Sequence, residues 1–210
     1  QVFRLLARDL AGELSVERLS DHLSALADVM LRVTLDLCWR KLARRHRDTP
    51  RFAVISYGKL GGKELGYASD LDVIFLFDDP HESAPETYAR LAQRLLTWLS
   101  SHTSAGMLFE TDTRLRPNGE SGLLVSSVDA FRDYQQKSAW VWEHQALTRA
   151  RFCAGAPSVA QRFEATRRAV LTAPRDAAAL RDEVRGMRDK LRGARPVPAA
   201  RFDVKHSPGG

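Results

Sequence analysis

Ser69-Asp70-Leu71-Asp72-Val73-Ile74-Phe75-Leu76 is the stretch on which the fold of this chain turns. The apolar run Val73 to Phe77 has the length of one strand and is bounded by Asp72 and Asp78. Residues two apart on a strand share a face, so Asp70 and Asp72 project side by side while Leu71 and Val73 face the other way. Their Cα atoms lie about 6–7 Å apart. Two carboxylates that close, at the mouth of an apolar strand, repel each other and need positive charge to stay ionised. A hard divalent cation supplies it; magnesium takes one or two carboxylates and completes its shell with water and substrate phosphate. Alone, an Asp-x-Asp pair is also compatible with a solvated strand start or a turn.

The flanking residues sharpen the reading. Upstream, Phe52 to Ser56 predicts a strand, followed by a glycine-rich turn through Gly58, Gly61, Gly62 and Gly66. Gly61 and Gly62 let the backbone approach an anion, and a helix starting near them directs N–H groups at it. Lys63 and Ser69 add a cation and a hydroxyl on the same approach. Downstream, a strand is predicted over roughly Met107 to Leu115, closed by Pro117-Asn118-Gly119. Alternation along it places Glu110, Asp112, Arg114 and Arg116 on one face. Two acids and two arginines on one strand face suit a metal ligand or general base beside phosphate-binding cations. Glu110 is equally readable as an ion-pair partner of an arginine and is left out of the carboxylate set.

The remainder reads as helix. Leu19, Leu23, Leu26, Met30, Val33 and Leu37 recur at steps of four and three and make one apolar stripe. Ser20 or Asp21 is placed to cap that helix, Arg44 to Arg47 suit its negative end, and Pro50 ends it. Pro85 to Ser100, residues 128–151 and residues 158–192 also read as helical, before a short extended segment from Arg201 to Lys205. In Trp140-Val141-Trp142-Glu143-His144-Gln145, the favoured reading packs Trp140 and Leu147 on the sheet and leaves the charges in water. The alternative lines a nucleotide cleft with Glu143, His144 or Arg149. The outline is α+β, a small sheet with helices before and after it.

Composition sets limits. The 210 residues, 44% hydrophobic and 28% charged, suffice for a buried core. No segment has the length and apolarity of a membrane span or signal peptide. Cys38 and Cys153 have no zinc-type spacing and read as core residues of a reducing, cytoplasmic compartment. A net charge of +6 is compatible with a nucleotide or an acidic partner, but the aromatics do not interleave with the arginines as nucleic-acid stacking platforms. Neither a nucleic-acid nor a membrane partner is expected. A chain that opens on Gln1 and stops at Gly210 reads as a piece of a longer protein.

Gly61-Gly62, seven residues, Asp70-Leu71-Asp72, and a later Asp112 ahead of Arg-Leu-Arg-Pro together resemble the DNA polymerase β-like nucleotidyltransferase superfamily. The blocks GKLGGKELGYASDLDVIFLFDD, TDTRLRPNGESGLLVSS, AWVWEHQALTRAR and FDVKHSPGG, spanning roughly 57–210, are similar to bacterial glutamine synthetase adenylyltransferase, the C-terminal adenylylating half more than the half that removes AMP. The resemblance implies a small mixed β-sheet, a polymerase β-like palm, flanked by N-terminal and C-terminal helices. Its implied divisions are a helical segment over 1–50, a nucleotidyltransferase core over 51–127, a helical segment over 128–193, and a tail over 194–210 leading into a further C-terminal part. It also implies Asp70, Asp72 and Asp112 as catalytic magnesium ligands, for two ions, and ATP as substrate. Gly61, Gly62 and Ser69 would hold the triphosphate. Lys63, Arg114 and Arg116 join them as nucleotide contacts on the turn and strand-face arguments. Glutamine synthetase is the implied protein substrate, and the PII signalling protein, with glutamine, the implied regulator.

Overall fold

The computed structural model of the chain describes residues 1–104, 106–194 and 203. It is α+β: a five-stranded mixed sheet with helices on both faces. Strand β1 (Phe52–Ser56) pairs antiparallel with β2 (Leu71–Phe77) on one side and with β5 (Arg151–Gly155) on the other. The far edge of β2 is shared by two short parallel strands. β3 (Thr111–Asp112) takes its start and β4 (Val125–Ser127) takes its end. The chain between them, 113–124, leaves the sheet and returns to the same edge.

Apart from Ser56 and Asp72, β1 and β2 are apolar, because both of their faces are covered. Phe52, Val54, Leu71, Val73, Phe75 and Phe77 join one core layer, which holds α2 (Val16–Arg40) and α4 (Ala84–Ser100). Ala53, Ile55, Ile74 and Leu76 join the second, against α5 (Val128–Lys137) and α7 (Pro157–Leu171). Asp72 has the parity of Ile74 and Leu76, so it points toward this second layer at the end where the layer opens. The remaining helices are α1 (Val2–Leu10), the single turn α3 (Gly58–Gly61), α6 (Val141–Leu147) and α8 (Ala177–Ala194).

Several sequence expectations are corrected. The α2 stripe continuing through Leu26, Met30, Val33 and Leu37 is not the core face. The core takes Ala27, Leu31, Leu35 and Cys38, about a quarter turn away. Both faces are apolar, and the one with small Ala27 and Cys38 permits close approach to β5 and α4. The cap is Ser15, whose hydroxyl accepts from the Arg18 amide, rather than Ser20 or Asp21. The helix ends at Arg40, well before Pro50. Arg44, past that end, has a positive φ of 55°, a conformation that does not resume the helix. The basic run therefore lies past the helix end: Arg45 reaches the Trp39 carbonyl, while His46 and Arg47 turn to Asp79.

The strand expected over Met107–Leu115 reduces to Thr111–Asp112. Beyond it the Asp112 side chain accepts from the Arg114 amide and the Thr113 carbonyl accepts from the Arg116 amide, which curls the backbone into turns. The helical reading of 128–151 divides into α5 and α6 and gives way to β5 at Arg151. Trp140 is 71% exposed, not packed on the sheet, whereas Leu147 is buried. The segment Arg201 to Lys205 lies outside the described residues, apart from residue 203. No described helix is long and apolar enough to cross a membrane.

Candidate active site

Three carboxylates meet at the open end of the second core layer. The Leu71 amide donates to the Glu110 carbonyl, and the parallel register places Asp72 opposite Asp112. Asp70, just ahead of β2, completes the group. Asp70, Asp72 and Asp112 each offer an oxygen within 4.8 Å of the others. Asp70 and Asp112 border a depression of about 530 Å³ whose wall includes Glu110, Arg114 and Arg116. Glu110, Asp112, Arg114 and Arg116 thus line one depression although regular alternation stops at Asp112.

Asp72 is half-buried. Burial first, then the charges of Asp70 and Asp112, hold its carboxyl above the ordinary range, against the pull of Arg114 and Lys59. Asp112 moves the other way. Its hydrogen bond from the Arg114 side chain outweighs burial and keeps it low, and the Arg114 amide adds to this. Arg114 holds both Asp112 oxygens: its amide donates to Oδ1 at 2.8 Å and its Nε to Oδ2 at 2.8 Å, with Nη2 also on Oδ2. One unpaired repulsion among three oxygen-donor groups, in a solvent-open depression, fits a hard divalent cation such as magnesium.

The glycine turn differs from its sequence reading. α3 ends rather than begins at Gly61 and Gly62, and their amides donate back to the carbonyls of Tyr57 and Gly58. Gly61 is required by packing, since a Cβ there would sit 1.8 Å from the Arg149 carbonyl oxygen. Over Gly62 lies an ion pair between Arg149 and Glu64. Lys63 is exposed at a positive φ of 56°. The Ser69 hydroxyl accepts from the Gly66 amide at 3.0 Å, which closes the turn leading into Asp70. Arg116 is directed into its own loop, donating to the carbonyls of Thr113, Glu120 and Gly122 and to the Thr113 hydroxyl. The structure therefore brings Asp70, Asp72, Asp112 and Arg114 together, sets Ser69 beside them, and gives Arg116 a loop-building position.

Sequence reasoning placed Gly58 in the turn without giving it a role and left Lys59 out of the site. Gly58 follows a fully buried strand and has a φ of +54°; a Cβ on it would come within 2.1 Å of Asp72 Oδ2. The signal available was a glycine two residues past a strand end. Glu143 and His144 do not reach this end. Glu143, 7% exposed rather than in water, accepts from the Tyr134 hydroxyl and the Trp140 amide, and His144 bonds the Gln135 carbonyl and Arg175.

A mixed sheet with two aspartates opening one strand, and a third in register on its neighbour, has the form of a nucleotidyltransferase core. A family model described as glutamate-ammonia ligase adenylyltransferase matches residues 1–166. The chain belongs to that family. It is 66% identical over 210 residues to a protein of Aromatoleum aromaticum, covering 100% of this chain and 22% of the relative. It is 58% identical over 214 residues to one of Ralstonia nicotianae, again 100% of this chain and 22% of the relative. For a protein of Nitrosomonas europaea the identity is 57% over 210 residues, with 100% and 23% covered. Each relative is named bifunctional glutamine synthetase adenylyltransferase/adenylyl-removing enzyme. The chain spans between a fifth and a quarter of their length.

Proposed function

We propose that this chain transfers AMP from ATP to a tyrosine hydroxyl of glutamine synthetase. The observation that carries the reading is the convergence of Asp70, Asp72 and Asp112, with oxygens within 4.8 Å of one another, in a chain of this family. The three carboxylates are the ligands for magnesium, as two ions. Bound there, magnesium would supply positive charge to the phosphates and to the oxygens that attack and leave. Arg114, Lys63 and Ser69 receive the triphosphate, with Arg116 keeping the Arg114 loop in shape; Gly61 and Gly62, whose amides donate within α3, have a packing role instead. Elsewhere in the longer protein, the PII signalling protein regulates the reaction.

Phosphorolytic removal of AMP is the second reading, favoured by the two activities in the relatives' name. It uses the same carboxylates with phosphate as nucleophile, so geometry of the acids does not separate the two. The test incubates the chain with magnesium, ATP and unmodified glutamine synthetase and weighs the acceptor intact. An AMP adduct made by the wild type and lost in Asp72→Asn supports transfer. Absence of adduct, together with phosphate-dependent ADP release from adenylylated glutamine synthetase, replaces it with removal.

A further inference from the structure

One apolar face of α2 belongs to neither core layer. Leu26, Met30, Val33 and Leu37 share it, and Val33 and Leu37 are 48% and 40% exposed. Its first two residues, Leu26 and Met30, line a cavity of about 730 Å³ walled elsewhere by Leu65, Met107 and Phe109. Ser69, Asp70 and Glu110 stand at the border of this cavity. Asp70 and Glu110 also border the acidic depression, so the apolar cavity and the carboxylate triad share a rim.

Two features select the occupant. No lysine or arginine lines the cavity among the described residues, so it offers a triphosphate nothing, while its size and apolar walls suit an uncharged aromatic group. The apolar floor also does not stop at the length of a nucleoside. From Leu26 to Leu37 it runs about 16 Å along the helix, ending on exposed side chains. A free nucleoside has no use for that lane; a polypeptide flanking an aromatic residue does.

We infer that the cavity receives the tyrosine side chain of the protein acceptor and that the Val33–Leu37 lane receives the segment carrying it. The inference rests on the adenylyl-transfer reading and names where the acceptor enters. In the step it serves, the phenolic oxygen bonds to the α-phosphorus of ATP. The bond from that phosphorus to the bridging oxygen breaks, and pyrophosphate leaves with the electron pair. The phenolic proton passes to water at the open rim.

The chain carries its own probes. Of its three methionines, Met30 and Met107 line the cavity and Met187 lies on α8. With ¹³C-labelled methionine methyls, N-acetyltyrosinamide should shift Met30 and Met107 and leave Met187 unmoved; adenosine should move none. Leu26→Trp should abolish the response and raise KM for glutamine synthetase at least about tenfold with KM for ATP unchanged. Val33→Asp, on the exposed lane and safe for folding, should raise KM for the protein acceptor while sparing the tyrosinamide shifts. Shifts from adenosine and none from tyrosinamide would make the cavity a base subsite and overturn the inference, as would no shift from either. Tyrosinamide shifts without any AMP adduct would keep the cavity assignment and sink the transfer reading instead.

Discussion

Gly58 leaves room for Asp72: a methyl group on its Cα would sit 2.1 Å from the Oδ2 of that carboxylate. The same glycine holds a φ of +54°, in the region side chains disfavour. Gly58→Ala therefore displaces a triad oxygen without touching a carboxylate. Manganese affinity, followed by electron paramagnetic resonance as a magnesium surrogate, should fall about 10–100-fold, the usual effect of disturbing a ligand's support. Unchanged affinity would mean that Asp72 does not contribute a ligand.

Arg114 grips Asp112 on both oxygens while exposing two thirds of its side chain. It supplies to the triad part of the charge a cation brings, so the two compete. Arg114→Ala should bind manganese more tightly in the absence of nucleotide and ATP more weakly, by roughly tenfold for one lost charge-assisted contact. Loss of both affinities together would instead make Arg114 a prop for Asp112.

Arg151 ties three elements together. It pairs with Asp28 of α2 through two hydrogen bonds of 2.8 and 2.9 Å and donates twice to the Leu60 carbonyl of α3. The pair is largely covered, so Asp28→Ala should cost about 2 kcal/mol in urea unfolding. The glycine turn should loosen as well, raising KM for ATP while glutamine synthetase KM holds. An effect on stability alone would detach this network from the site.

At the opposite end of β2, Asp79 is covered by His46, Arg47, Tyr88 and the His81 amide. Burial would raise its carboxyl, but the bonds from His46 and Tyr88, then the His81 amide and Arg47, bring it down to about 2. A depressed carboxyl stabilises the fold above its unfolded value of 3.8 and loses that contribution as pH falls toward 2. The contribution is about 2 kcal/mol at neutral pH. Asp79→Asn should flatten the stability profile between pH 4 and 2; an unaltered acid limb would refute the assignment.

The two central strands and their acids were legible because burial on both faces demands an unbroken apolar run, which makes a charge at its edge conspicuous. What the sequence could not disclose was decided by partners far away. Arg151-Phe152-Cys153-Ala154-Gly155 holds weak strand formers and becomes β5 only because β1 offers it an edge. α2 carries two apolar faces, and which of them is core depends on what packs there. The end of β3 at Asp112 was hidden for a local reason: a side chain hydrogen-bonding the backbone two residues on competes with the ladder. The site was therefore read from its carboxylates, while the supports around it, Gly58 and Arg149, required the fold.

The edge of β2 is shared by β3 and β4, with residues 113–124 looping out between them. That excursion is clamped at both ends by the same strand, so beyond Arg114 and Arg116 its length can change without shifting the register of either anchor. It is an insertion point: a place where a lineage could graft a longer or differently charged loop beside the three carboxylates while the strands that carry them stay fixed.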